Sequence, residues 1–290
     1  MSASNFFALA LQAYRELQPE LACTCAGRLA PTGSRPACTC ASAGERGTSE
    51  QAGQTIHAPA LPALADVLGQ LESLPQGALM LGVASDGLPV LLDLYDPAPC
   101  PLLVVGDGRS GKTALLQLLA RTADLLQEPG DVQFGVVTNF PDEWKSMEAS
   151  AASMGIWPAY HSSAVQFLHD TVAWADGSTP GRQVQVLLLD DLTSLLSASH
   201  EAQEDLRWLL VRGPERRVWT VATLNAVRAM RLCPWLGLFP THIFGFIHQP
   251  ALAEALTGDP QAGLADLVPG LLFSLKQESG WLQFWLPSLD

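Results

Sequence analysis

The sequence predicts an α/β fold, a mostly parallel sheet with helices on both faces, and three features predict it. Apolar runs rich in Val and Leu recur in "LLVVG", "VQFGVVTN", "VQVLLLDD" and "RVWTVATL". They are apolar throughout and do not alternate, as strands covered on both faces require. Between them stand segments with apolar residues at helical spacing, among them "SSAVQFLHDTVAWA" and "EDLRWLLVRG", and strands alternating with such helices favour parallel pairing. The third feature is a glycine-rich loop joining the first of these strands to a leucine-rich helix, in "LLVVGDGRSGKTALLQLLA".

The elements follow in order. "MSASNFFALALQAYREL" reads as a short amphipathic helix, and it lacks the basic leader and small-residue cleavage site of a signal peptide. From about residue 21 to 58 the chain is rich in Ala, Gly, Ser, Thr and Pro and has no apolar period, so it reads as a flexible extension. Residues 1–58 are therefore expected to be a helix plus extension, and residues 59–290 the folded domain. "LPALADVLGQLESL" restores helical spacing. "ALMLGV", the turn "ASDGL" and "PVLLDL" form a predicted hairpin, because Asp-Gly supplies the positive φ of a tight turn. The alternating core follows. "THIFGFI", "GLLFSLKQ" and "GWLQFWLP" complete the chain as strands, the last two an antiparallel pair around "ESG".

Composition narrows the function. The 290 residues are 48% hydrophobic, enough for a sizeable core, and the formal charge of −13 excludes a surface that holds nucleic acid by bulk attraction. Any DNA contact would be local, in a loop or a ring lumen. No apolar stretch reaches the roughly 18–20 residues of a membrane span, and "PWLGLFPTHIFGFI" is broken by Pro240 and His242. A cytoplasmic protein is expected. Cys23, Cys25, Cys38 and Cys40 lie in two copies of "ACTC", but C-x-C strains the bite of two sulfurs on one zinc, so a low-complexity linker is the favoured reading. Cys100 and Cys233 are expected to be small buried hydrophobes.

The loop carries the chemistry. Gly106, Gly111, Lys112 and Thr113 satisfy G-x-x-x-x-G-K-[ST] between a buried strand and a helix, the context that the motif requires. Glycines let consecutive N–H groups from Gly106 through Asp107, Gly108, Arg109, Ser110 and Gly111 to Ala114 converge on phosphate oxygens, and the helix start adds partial positive charge. Lys112 would neutralise β- and γ-phosphates, and the Thr113 hydroxyl would ligate Mg²⁺. The loop is thus predicted to hold a nucleoside triphosphate. Such a site needs a carboxylate at a neighbouring strand end. "VQVLLLDDL" supplies Asp190 for the metal and Asp191 to polarise the attacking water. Asp191 is one methylene shorter than a glutamate and reaches a water less well, a reason for turnover to be slow. "TVATLNAV" offers Thr223 or Asn225 toward the γ-phosphate or the water; each fits a strand-end turn equally well.

With these motifs in place, the sequence from about Leu79 to Pro287 resembles the FtsK and HerA group of P-loop ATPases. "ALMLGVASDGLPVLLDL" is similar to the group's lead-in to the phosphate loop, "VQVLLLDDL" to its strand ending in an acidic pair, and "TVATLNAV" to its "ATQRP" strand. "LFPTHIFGFI" resembles "nfPTRIaFrv", and "LADLVPGLLFSL" resembles "lLgxGDmLy". The resemblance implies a RecA-like core, ATP and Mg²⁺, and a homo-oligomeric ring, a hexamer in most of the group, with ATP at subunit interfaces. The chain departs from the pattern at Thr138, Asn139 and Phe140, at Leu224 in place of a glutamine, and at His242 in place of the "PTR" arginine. Arg212, Arg216, Arg217, Arg228 and Arg231 are the candidate substitutes for a trans-acting arginine.

Three functional readings follow. The first is a Mg²⁺-dependent ATPase that couples hydrolysis to movement of a polymer, DNA foremost. The second is a nucleotide-gated interaction module that hydrolyses slowly or never and recruits protein partners. The third keeps the ATPase and makes its cargo a protein. Trp281, Phe284 and Trp285 could stack on bases, but packing on an alternating strand is the favoured reading. His161, His169 and His248 have no partners at ligand spacing.

Overall fold

The computed structural model describes residues 62–69, 76–128, 130–177, 182–277 and 280–289. The amino-terminal helix, the extension and the four C-x-C cysteines fall outside the described residues.

Ten strands form one sheet, in the order β2-β1-β10-β9-β8-β3-β7-β6-β4-β5. The parallel part comprises β3 (Leu102–Gly106), β4 (Val132–Thr138), β5 (Ser153–Pro158), β6 (Val184–Asp190), β7 (Val218–Asn225) and β8 (Thr241–Phe244). At one end, β9 (Leu272–Gln277) pairs antiparallel with β8, and β10 (Gly280–Trp285) with β9. The predicted hairpin is present as β1 (Ala78–Ala84) and β2 (Pro89–Asp93), and β1 docks antiparallel on β10. The lead-in to the phosphate loop and the end of the chain therefore extend the same sheet.

Helices cover both faces, which is why the central strands are apolar throughout. Alternate residues of each strand divide between two cores: Leu102 and Val104 face one, Leu103 and Val105 the other. α1 (Leu64–Gly69) and α2 (Lys112–Leu126) close the first core, α2 burying Leu115, Leu116, Leu118 and Leu119. α3 (Ser162–Gly177), α4 (Leu192–Leu196) and α5 (His200–Arg212) close the second. Short helices α6 (Ala226–Ala229) and α7 (Cys233–Leu236) follow β7, and α8 (Pro250–Thr257) follows β8.

Two features differ from expectation. β5 carries "SMGIWP", which the pattern does not signal: it is an edge strand of half-buried residues, with Gly155 at positive φ and a proline at its end. Cys233 is exposed, unlike buried Cys100. It opens α7, whose inward residue is Trp235, and its thiol donates to the Met230 carbonyl at 3.0 Å. Burial pushes the Cys100 thiol up, out of reach of ordinary titration. Among the described residues no helix is long and apolar enough to cross a membrane.

Candidate active site

The parallel register gathers the motif residues on one edge. Gly106 at the end of β3 aligns with Asn225 at the end of β7, and Thr138 on β4 aligns with Asp190 on β6. β7 lies between β3 and β6, so the phosphate loop, the acidic pair and the strand-end polar residues emerge side by side at the carboxyl ends of the strands. In open α/β sheets that edge is where ligands bind.

The loop is held from behind. The Asp107 N–H donates to the Phe246 carbonyl at 2.9 Å, and its carboxylate accepts from the His248 N–H at 2.8 Å. Gly245 donates its N–H to Val105 at 2.8 Å. Ser110 is buried, whereas Gly108 and Arg109 are exposed, Arg109 at φ 62°. Gly111, at φ 89°, precedes the first turn of α2, and Ala114 packs from that turn against the core. A Cβ on Gly111 would stand 2.7 Å from the Gly270 carbonyl oxygen, so the backbone of the loop rests directly on the turn before β9.

Lys112 folds back on its own loop. Its ammonium donates to the carbonyls of Gly106 at 3.0 Å and Asp107 at 2.6 Å, and to the Ser110 hydroxyl at 3.3 Å. Burial lowers its proton affinity, opposed by Asp190, Asp107 and Asp191 nearby. Beside it, the Thr113 hydroxyl donates to the Asp190 carboxylate at 3.1 and 3.2 Å. Asp190 sits in a cage of hydroxyls completed by Thr223 at 3.2 Å and Thr138 at 3.3 Å. Burial pushes its carboxyl above the usual range, against these hydrogen bonds. A hydroxyl and a carboxylate in contact at a loop edge are the hard oxygen donors that Mg²⁺ takes, so the residues present fit that ion.

Asp191 is differently placed. It adopts φ 85°, its N–H donates to the Thr223 hydroxyl at 2.8 Å, and its carboxylate caps α4 by accepting the Thr193 N–H at 3.0 Å. Its other oxygen accepts from Ser194 at 3.0 Å, Asn139 at 3.5 Å and Arg228 at 3.2 Å. Of the two strand-end candidates, Thr223 thus touches both acids, while Asn225 caps α6 through the Val227 N–H at 3.1 Å. Motif reading did not anticipate Thr138, Asn139 and Ser194 at the acids; the register between β4 and β6 is what brings the first two there. Arg228 lies on its own chain's carboxylate. Arg212, Arg216 and Arg217 precede β7 and so lie at the opposite edge, about 23 Å along the strand from this site. Exposed Arg231 follows α6.

The remaining aromatic candidates pack, whereas His161, His169 and His248 are exposed. Phe284 is buried against Phe273, and half-buried Trp281 donates its indole N–H to Asp259 at 2.8 Å. His242 stacks on Phe244, with burial lowering its pKa from the ordinary 6.5. His161 contacts Ser163, and His169 contacts Asp205. No cluster of three His, Cys, Asp or Glu fit to hold a metal occurs among the described residues.

Neither protein-family models nor curated sequences match the chain. Solved structures do. The cytoplasmic domain of the Type VII secretion ATPase EccC from Thermomonospora curvata superposes with a TM-score of 0.63 at 17% identity, over 79% of this chain and 28% of that one. EssC (ATPases 2 and 3) from Geobacillus thermodenitrificans gives 0.61 at 11%, over 81% and 48%. The chain has a RecA-like α/β fold. This RecA-like domain thus spans between a quarter and a half of the length of those two structures. The pCW3 conjugation coupling protein TcpA, solved as a monomer with ATPγS, matches it at 0.57 and 13%, over 79% of this chain and 70% of that one. These neighbours bear out, at the level of fold, the resemblance to FtsK and HerA carried by the motifs.

Proposed function

We propose that residues 59–290 form an ATPase domain that binds Mg²⁺-ATP at the loop from Gly106 to Ala114 and hydrolyses it slowly to move a polymer, DNA foremost. One observation carries the reading: the Thr113 hydroxyl and Asp190 carboxylate meet at 3.1 Å beside the Lys112 ammonium, on the edge that carries the loop and its backbone amides. Those amides and the start of α2 would bind the α- and β-phosphates. Lys112 would turn from its loop carbonyls to the β- and γ-phosphates, and Thr223 would hold the acidic pair in place. Thr113 and Asp190 would hold Mg²⁺, which would supply charge neutralisation to the phosphates. Asp191 would orient the attacking water in line with the β–γ bond, and an aspartate already capping a helix does this slowly. A homo-oligomeric ring would place a second subunit against exposed Phe140, Tyr160, Val227 and Met230, which follow the carboxyl ends of β4, β5 and β7.

The engaged state of the Asp191 carboxylate favours a second reading, a nucleotide-gated module that recruits a protein and rarely turns over. The neighbour of EccC type solved with a signal sequence peptide makes a polypeptide cargo or partner worth testing alongside DNA. Titration calorimetry with Mg²⁺-ATP is expected to give binding to the wild type and none to Lys112→Ala, with Asp190→Ala losing metal-dependent turnover. Phosphate release stimulated by DNA, together with an ATP-dependent ring on sizing, supports the motor. Tight binding without turnover supports the switch. Absence of heat and of any shift in melting with the wild type overturns both.

A further inference from the structure

One oxygen of the carboxylate that would orient water, Oδ2 of Asp191, has no free acceptor position. Each carboxylate oxygen offers about two lone-pair sites. Oδ1 of Asp191 takes the Thr193 N–H, and the two positions of Oδ2 are filled by Ser194 at 3.0 Å and Arg228 at 3.2 Å, with Asn139 standing off at 3.5 Å. A water could place a proton on Oδ2 only after a donor leaves.

The donors are not equally free to go. Thr193 and Ser194 belong to the turn that Asp191 caps, so they are tied to the start of α4. Asn139 also receives its place from Ser194, to which it donates at 2.6 Å. Arg228 is different: it is the carboxylate's ion-pair partner, its side chain is 54% exposed, and it stands on the short helix α6, whose amino end is already capped by Asn225. The fold does not depend on its guanidinium. Beside it opens a polar cavity of ≈ 570 Å³ lined by Asn139, Tyr160, Thr193, Ser194, Ser197 and Arg228 itself, with room for the side chain to swing aside.

Resting on the ATPase reading, we infer that Arg228 is a same-chain latch: its guanidinium occupies the Asp191 oxygen that would orient the attacking water, and its departure into the adjoining cavity sets the basal rate. Arg228 is a positioning residue, acting through Asp191. Arg228 is half exposed and Asp191 partly so, and the latch is shallow. Exposed ion pairs are weak enough that removing one should raise the rate by about two- to fivefold.

The test measures phosphate release at saturating Mg²⁺-ATP for the wild type, Arg228→Ala, Arg228→Lys and the pair Asp191→Asn and Arg228→Ala/Asp191→Asn, with a fluorescent ATP analogue titrated into each. At saturating Mg²⁺-ATP, Arg228→Ala is expected to turn over about two- to fivefold faster, with Arg228→Lys between it and the wild type. In the Asp191→Asn background the same change should yield no gain. Raising the salt from about 0.05 to 0.5 M should accelerate the wild type toward the alanine variant and leave that variant flat. A rate that falls or stays level in Arg228→Ala, a gain that persists without the Asp191 carboxylate, or binding with no turnover in any variant overturns the latch while leaving nucleotide binding intact. A wild type that binds no analogue overturns the ATPase reading itself, and the latch with it.

Discussion

Gly111→Ala should damage this protein more than its single methyl suggests. The residue sits at φ 89° and ψ 9°, where a side chain's Cβ crowds the following carbonyl at a cost of about 1–2 kcal/mol. The new Cβ would also stand 2.7, 2.8 and 2.9 Å from O, Cα and C of Gly270. All three are backbone atoms, so no rotamer change relieves the contact; the loop or the turn before β9 must move, at about 1–3 kcal/mol for an overpacked site. The sum, about 2–5 kcal/mol, is a large part of the ~5–15 kcal/mol that holds a typical domain together. Gly108→Ala is the matched control, since its added Cβ meets nothing within 4 Å and Gly108 is not at positive φ. Urea denaturation followed by circular dichroism should show Gly111→Ala lowered by that amount and Gly108→Ala within about 0.5 kcal/mol of the wild type. Equal midpoints for the two variants would refute the claim that the phosphate loop is seated on Gly270.

Two further substitutions probe other parts of the argument. Trp219, fully buried, donates its indole N–H to the Leu94 carbonyl at 2.9 Å, tying the end of the lead-in hairpin to the central sheet; Trp219→Phe should cost about 1–3 kcal/mol in chemical denaturation by leaving that carbonyl unpaired. His242 has its folded pKa lowered below the ordinary 6.5 by burial, with Lys276 acting in the same direction. Its contribution is therefore present above that ordinary value and is lost as pH falls and the unfolded chain takes up the proton, by up to about 1.4 kcal/mol per pH unit. Measured at pH 7.5 and 5.5, the urea midpoint of the wild type should fall further than that of His242→Gln.

The parallel core was legible because burial on both faces leaves an unbroken apolar run, and "LLVVG", "VQFGVVT" and "VQVLLLD" are such runs. β5 was not, because an edge strand of half-buried residues containing Gly155 and Pro158 needs neither alternation nor a run. The hairpin was readable from Asp-Gly, but its docking on β10 is a long-range pairing with no local signal. At the site, sequence reading reached Lys112, Thr113, Asp190 and Asp191 because motif spacing and strand ends specify them. It did not reach Thr138 at Asp190 or Asn139 and Arg228 at Asp191. Those contacts are set by which strands are neighbours and by where a short helix turns after β7. The prediction that Asp191 acts on water was made from position alone; its capping of α4 follows from φ 85°, a conformation that no spacing rule reveals.

On the proposed function, the charges gathered on this edge say what a nucleotide would have to bring with it. Lys112 stands among Asp107, Asp190 and Asp191, and Arg228 adds one cation on Asp191, so these groups carry two positive charges against three negative. Exposed Arg109 in the loop adds a third cation, but a polyanion seated beside these three carboxylates is still repelled by them locally unless a divalent cation enters with it. Burial already disfavours the charged form of Asp190, so this carboxylate is the costly member of the set until a cation offsets it. Asp190→Asn removes that charge while keeping an oxygen in the threonine cage. Metal-free ATP, measured by titration in EDTA, should therefore bind the variant more tightly than the wild type, and Mg²⁺ should improve the variant's affinity far less than it improves the wild type's. Were both proteins to gain equally from Mg²⁺, the carboxylate beside Thr113 would not be the group that the ion meets, and the site's metal dependence would have to be sought at Asp107 or Asp191.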